Sequence, residues 1–347
     1  MLVDSPPEQR AETAPAPPTR RAIRTVGLLV SVVILVVVAL ASIAIGAKEL
    51  PLDQVWHGLF HNSGTYADVV VGERRSRTVL GLLVGAALGL SGAVLQALTR
   101  NPLADPGLLG INAGASAAVV TAITYFGVTT LSGYVWFAFF GAAVVGALVW
   151  FLGGSRGATP VRLALAGTAI SAALYGYLQA VMIMDDAALG KMRFWTVGSL
   201  ASATDSMIRQ VLPFLVVGTV LALALARPLN AMAMGDDTAR ALGANLNRTR
   251  ALAMAAATVL CGAATAACGP IVFVGLMVPH VVRSFTGPDL RWILPYATVL
   301  SPVLLLGADV VGRIVARPAE LQVGIVTAII GGPVFIYLVR RRRTAQL

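Results

Sequence analysis

The sequence predicts an all-α integral membrane protein with ten transmembrane helices, and three observations carry that prediction. Hydrophobic residues fill 57% of the 347 positions and charged residues only 12%, with a mean hydropathy of +0.81. A soluble domain of this length needs more polar surface to cover its core. Apolar runs such as 26–45 and 211–226 are long enough to cross a hydrocarbon layer as helices. A spanning chain must satisfy its backbone internally, as helices or as a closed barrel. These runs lack the alternation of barrel strands, so helices remain.

Residues 1–25 are rich in Pro and Ala and are expected to form a disordered cytoplasmic tail. Arg20, Arg21 and Arg24 then precede an apolar run longer than the core of a cleaved signal peptide, so the first span is expected to stay in the protein. Spans are expected at 26–46, 78–98, 108–126, 134–152, 163–184, 207–226, 251–268, 271–286, 292–312 and 324–339. Gly269 and Pro270 alone separate the seventh from the eighth. Residues 341–347 form a second cytoplasmic tail.

Orientation follows from the basic residues. With the N-terminus in the cytoplasm, 17 of the 26 Lys and Arg residues fall inside, including Arg100, Arg227, Arg240, Arg248, Arg250, Arg283 and Arg291. Both termini are therefore placed inside. Arg74, Arg75, Arg77, Arg313 and Arg317 fall outside, against the general bias, and call for an external partner or local pairing. Glu73 is a candidate neutraliser of Arg74 or Arg77, and Asp309, four residues before Arg313, is well spaced to hold that arginine. A faint echo relates 77–96 to 250–269, both Arg-led Ala/Gly-rich helices of opposite expected direction. Inverted repeats of this kind recur in transporters.

The net charge of +10 does not indicate nucleic acid, because the arginines sit between apolar runs and form no basic domain. Cys261 and Cys268 lie about 10 Å apart along one helix, too far for a disulfide within it. No phosphate-binding loop, zinc-protease motif, paired-cysteine metal pattern or nucleophile elbow is present. If ATP drives this protein, another chain binds it. Asp53, His57 and His61 share a helical face at a spacing of four, but an interfacial helix with Val55, Trp56, Leu59 and Phe60 toward the membrane is the preferred reading over a metal site. Asp309 is the clearest charge within a span, and His280 reads as structural. The scarcity of intramembrane titratable groups argues against a proton-coupled carrier and against an intramembrane enzyme. Gly81, Gly85, Gly89 and Gly92 repeat on one helical stripe, which allows close helix packing.

Longer motifs add a family. Arg74-Arg75-Ser76-Arg77-Thr78 with its Gly-rich helix, followed by Asn101-Pro102-Leu103-Ala104-Asp105-Pro106-Gly107-Leu108-Leu109-Gly110, resembles the FecCD-type permeases. So do Gly235-Asp236 through Ala239-Arg240-Ala241-Leu242-Gly243, the stretch from Gly269 to His280, and Glu320-Leu321-Gln322-Val323-Gly324 through Phe335. The match covers about residues 26–340, as a ten-span domain of the type II ABC importer permease fold.

That resemblance implies a homodimer or a pseudo-symmetric heterodimer in the inner membrane. Two cytoplasmic ATPase subunits would bind ATP and Mg, and an extracytoplasmic solute-binding protein would deliver cargo. No cofactor is implied for this chain itself. The cargo would be a ferric siderophore, with cobalamin or haem as alternatives. Arg74, Arg77 and Arg313 would receive acidic residues of the binding protein. Asp236, Arg240, Ala241, Leu242 and Gly243 would form the coupling segment that seats in the ATPase. The family's Arg-Leu-Pro-Arg is Arg74-Arg75-Ser76-Arg77 here, and the gate position near Thr159-Pro160-Val161 departs from the usual hydroxyl pair, so no gate residues are carried over.

Overall fold

The computed structural model describes residues 20–61, 64–128, 130–154, 160–241, 243 and 245–344. Every regular element among them is helical, so the all-α expectation holds. In chain order the helices are α1 (Arg20–Ala44), α2 (Leu52–Phe60), α3 (Tyr66–Thr99), α4 (Ile111–Phe126), α5 (Leu131–Gly154), α6 (Pro160–Met184) and α7 (Asp186–Trp195). There follow α8 (Asp205–Ala224), α9 (Ala226–Ala233), α10 (Asp236–Ala241), α11 (Leu246–Cys268), α12 (Val274–Thr286), α13 (Leu290–Val315) and α14 (Val323–Thr344). Seven of these, α1, α3, α5, α6, α8, α11 and α13, are long and apolar enough to cross a membrane. The other three expected spans fall on α4, α12 and α14, whose apolar portions are shorter.

Helices α3 and α11 form the hub, with 78% and 72% of their apolar windows buried, whereas α1 is only 11% buried. Lipid is the natural solvent for α1, since Val26, Leu29, Val33 and Val37 all stand outward. Small residues build the hub. A Cβ on Gly85 would lie 2.6 Å from Pro302 Cα of α13, and Gly92 faces the Gly275 carbonyl of α12. The glycine stripe therefore seats two different helices along α3, where backbones approach closely enough for dispersion to hold them. Ser91 Oγ donates to the Ala257 carbonyl of α11 at 3.0 Å, and Gln96 Nε2 donates to the Leu276 carbonyl of α12 at 3.0 Å.

Three boundaries differ from expectation. First, α3 begins at Tyr66, twelve residues ahead of the expected span, because Thr65 and Asp68 form a reciprocal capping box that starts the helix among polar residues. Second, α12 begins at Val274 rather than at 271. Gly269 has φ +73°, Pro270 cannot donate, and Phe273 also sits at positive φ (+71°), so the chain bends before the helix restarts. At 13 residues α12 is about 20 Å long, well short of the hydrocarbon layer. Irregular backbone is tolerated there because protein surrounds it: Ser199 N donates to the Cys268 carbonyl at 2.7 Å. Third, α1 already runs from Arg20 and α14 continues to Thr344, so helix replaces parts of both expected tails.

Candidate functional site

Two polar clusters lie at opposite ends of α3. At its N-terminal end, which we call distal, Asp309 of α13 is fully buried and takes two guanidiniums. Arg77 meets it through Nη2–Oδ1 at 2.8 Å and Nε–Oδ2 at 3.0 Å, and Arg313 through Nη2–Oδ2 at 3.0 Å. Arg77 also pairs with Glu320 at 2.6 Å. Arg313 is only 1% exposed, and it donates to the Ser42 and Ile45 carbonyls at 2.9 and 2.8 Å and to Ser42 Oγ at 2.9 Å. Arg74 donates to the Ala44 carbonyl at 2.9 Å and to the Lys48 carbonyl at 2.5 Å. The last carbonyls of a helix have no intrahelical donor, so Arg74 and Arg313 cap α1. Arg317 finishes the cluster on the Gly46 carbonyl and Glu49.

The structure therefore brings Arg74, Arg77 and Arg313 into one network, and it engages all three within the chain. The partner expected from sequence for Arg313, Asp309, is in place; Glu73 is exposed, and Asp309 and Glu320 do the neutralising instead. Glu320 was visible in the sequence only as part of a motif, and Ser42 and Glu49 carried no signal because their roles arise from long-range packing. Four guanidiniums face three carboxylates here (Glu49, Asp309, Glu320), leaving a positive surplus. Beside it opens a cavity of about 490 Å³, lined among others by Arg77, Lys191, Trp195, Ser199, Glu320 and Gln322. Arg75 is exposed at the same end, 3.6 Å from Asp205.

At the proximal end, Asp236 on α10 accepts from Arg250 of α11 at 2.6 Å and from Arg100, the left-handed C-cap of α3. Arg100 also donates to the Met232 carbonyl of α9 at 2.6 Å. Burial pushes the Asp236 carboxyl upward, but the hydrogen bonds from Arg100 and Arg250 outweigh it and hold the group below its ordinary value. This clamp fixes α10 against the hub and sets α3 and α11 antiparallel, since the C-terminus of one meets the N-terminus of the other. Ala239 is the buried residue of α10, while Arg240 and Ala241 are exposed, with Arg240 reaching Asp237 at 3.2 Å. Gly243 has φ +81°, a conformation that favours glycine. Leu242 and Thr159 lie outside the described residues.

The Asp53, His57 and His61 face behaves as part of a surface helix. His57 stacks on His61 with centroids 4.8 Å apart, and its Nδ1 lies 3.5 Å from Asp68. Of the four residues expected on the membrane side, Trp56 and Phe60 are exposed and Leu59 is partly so, but Val55 turns inward and is buried. Among the described residues no group of three or more His, Cys, Asp or Glu side chains is placed to hold a metal. Both cysteines are buried and free.

A bundle of apolar helices around a small-residue hub, with its ion pairs gathered toward the two ends of α3, is the architecture of a multi-pass membrane permease. The FecCD transport family model matches residues 34–341, and the chain belongs to that family. Ferric enterobactin transport system permease protein FepD of Escherichia coli (strain K12) is 46% identical over 327 residues, covering 93% of this chain and 96% of its own length. Hemin transport system permease protein HmuU of Yersinia pestis is 36% identical over 317 residues, covering 90% and 94%. A solved inward-facing structure of a metal-chelate type ABC transporter superposes with a TM-score of 0.80 at 28% identity, covering 91% of this chain and 99% of its own.

Proposed function

We propose that this chain is the membrane-spanning subunit of an ATP-driven importer that carries a ferric siderophore across the cytoplasmic membrane, with both termini inside. The observation that carries the reading is the near end-to-end match, at 46% identity, to a ferric enterobactin permease. The geometry suits it. One continuous helix, α3, joins a cationic distal face to the α10 clamp, and no phosphate-binding loop is present in the sequence. Separate ATPase subunits then bind ATP and Mg. They grip the segment holding Asp236, Arg240, Ala241, Leu242 and Gly243, which presents a short helix to a groove in the partner. Cells lacking their own permease, supplied with this chain and its cognate partners, should take up ferric siderophore and stop when ATP is depleted. Uptake of cobalamin or haem alone would reassign the cargo, and uptake persisting without ATP would indicate a secondary carrier.

Docking of an acidic binding protein on the distal face belongs to the same proposal, with Arg74, Arg77 and Arg313 supplying its positive field. A surplus of buried positive charge steers an acidic partner even where the guanidiniums are engaged internally. Arg77, paired to the half-exposed Glu320, is the member positioned to exchange partners. Glu320→Gln should raise affinity for the binding protein at low salt, and Arg77→Gln should lower it. Unchanged affinity in both variants excludes docking through this cluster.

A further inference from the structure

The proximal end of α1 and the start of α13 enclose a second basic cavity, of about 490 Å³, lined by Arg21, Arg24, Asp289, Arg291 and Trp292. Arg24 lies over the Trp292 ring, 5.9 Å from its centroid. Among the described residues neither Arg21 nor Arg24 meets a carboxylate within ion-pair distance. The single carboxylate in the cavity is already committed. Asp289 caps α13 through Arg291 N at 3.0 Å, pairs with Arg291 Nη2 at 2.9 Å and accepts from Asn230 at 2.6 Å. Those hydrogen bonds, Arg291's foremost, hold its carboxyl below the ordinary range.

The helices that carry this cavity also present apolar surface outward. Ile23, Val26 and Val30 of α1 are more than half exposed, as is Phe285 of α12, which packs edge-on to Tyr296 at 5.2 Å. Tyr296 in turn donates to the Arg24 carbonyl at 2.7 Å, which ties α1 to α13 beside the cavity. In a bilayer, acyl chains must cover this face, and the headgroup above them falls at the cavity. Trp at that level is the usual interfacial side chain. A phosphodiester finds two guanidiniums there without a carboxylate partner; a zwitterionic lipid brings the same phosphodiester, but its ammonium finds no free carboxylate and meets like charge.

We propose that this cavity is a binding site for the headgroup of an acidic phospholipid, held by Arg21 and Arg24 beside Trp292. Basic pockets between helix ends serve such headgroups elsewhere. The site shares no lining residue with the distal cluster or with the Asp236 clamp, although α9 joins it to that clamp through Asn230 and Met232.

The test places the full-length chain in bilayers of phosphatidylcholine mixed with phosphatidylglycerol, one or the other carrying brominated acyl chains. The fluorescence lost on Trp292→Phe substitution isolates the Trp292 signal. Brominated phosphatidylglycerol should quench that signal well beyond its share of the lipid. Replacing Arg21 and Arg24 with Gln should cut the preference about 5-fold for each charge removed, while quenching by brominated phosphatidylcholine persists and shows that Trp292 still meets lipid. Equal quenching by the two lipids in the unmodified chain, or a preference untouched in the double variant, overturns the proposal. Reversal of the quenching by millimolar inorganic phosphate also overturns it, because the site would then serve free phosphate.

Discussion

Asp309 is the residue on which the distal end depends. It is fully buried, and its two oxygens balance Arg77 and Arg313. Removing one partner of a buried ion pair leaves an uncompensated charge, at a cost of about 3–5 kcal/mol. Asp309→Asn should therefore lower the melting temperature of the purified chain markedly, whereas Arg75→Ala, which removes only an exposed pair at 3.6 Å, should move it little. Half of this arrangement was legible in the sequence: Asp309 and Arg313 stand one helical turn apart, and spacing alone pairs them. Arg77 was not legible as their third member, because it reaches Asp309 from another helix. Its nearest acid in sequence, Glu73, was a false lead, for the helix turns that carboxylate outward.

At the scale of elements, helix contacts and clamps make separable predictions. Gly92→Ala drives a methyl into the Gly275 carbonyl and should separate α3 from α12, destabilising the chain. Gly72→Ala on the same helix meets nothing within 4 Å and should stabilise by up to about 1 kcal/mol through helix propensity alone. Comparing the two melting curves separates packing from propensity. For α10, Asp236→Asn should loosen the clamp and weaken coupling of ATP hydrolysis to transport. Because the folded state holds Asp236 below its ordinary value, its stabilisation is present above the unfolded value and disappears as pH falls through the folded one. The melting difference between the native chain and Asp236→Asn should thus be full at neutral pH and vanish in strong acid. The seven helices long and apolar enough to cross a membrane were readable from hydropathy, while the start of α12 was not. Val274 and the three residues before it are all apolar, and only the backbone angles of Gly269 and Phe273 decide where the helix resumes.

For the whole molecule, the absence of a phosphate-binding loop predicts that the purified chain alone hydrolyses no ATP, and that hydrolysis appears only once its ATPase partner is added. Activity from the chain by itself, in preparations shown free of contaminating ATPase, would contradict this. The length of α3 bears on how such partners communicate. Its 34 residues run about 51 Å without a break, so the distal arginines and Arg100 stand at two ends of one continuous helix. The clasp on α1 has a different consequence, one that concerns how the protein is made. Tyr296 and Trp292 hold the proximal end of α1 and Arg313 holds its distal end, and all three belong to α13. The ribosome delivers α13 long after α1. Helix α1 is therefore seated in two stages: α3 takes it first, through Arg74 on the Ala44 carbonyl and Thr78 against Ser42, and its berth is completed only when α13 emerges.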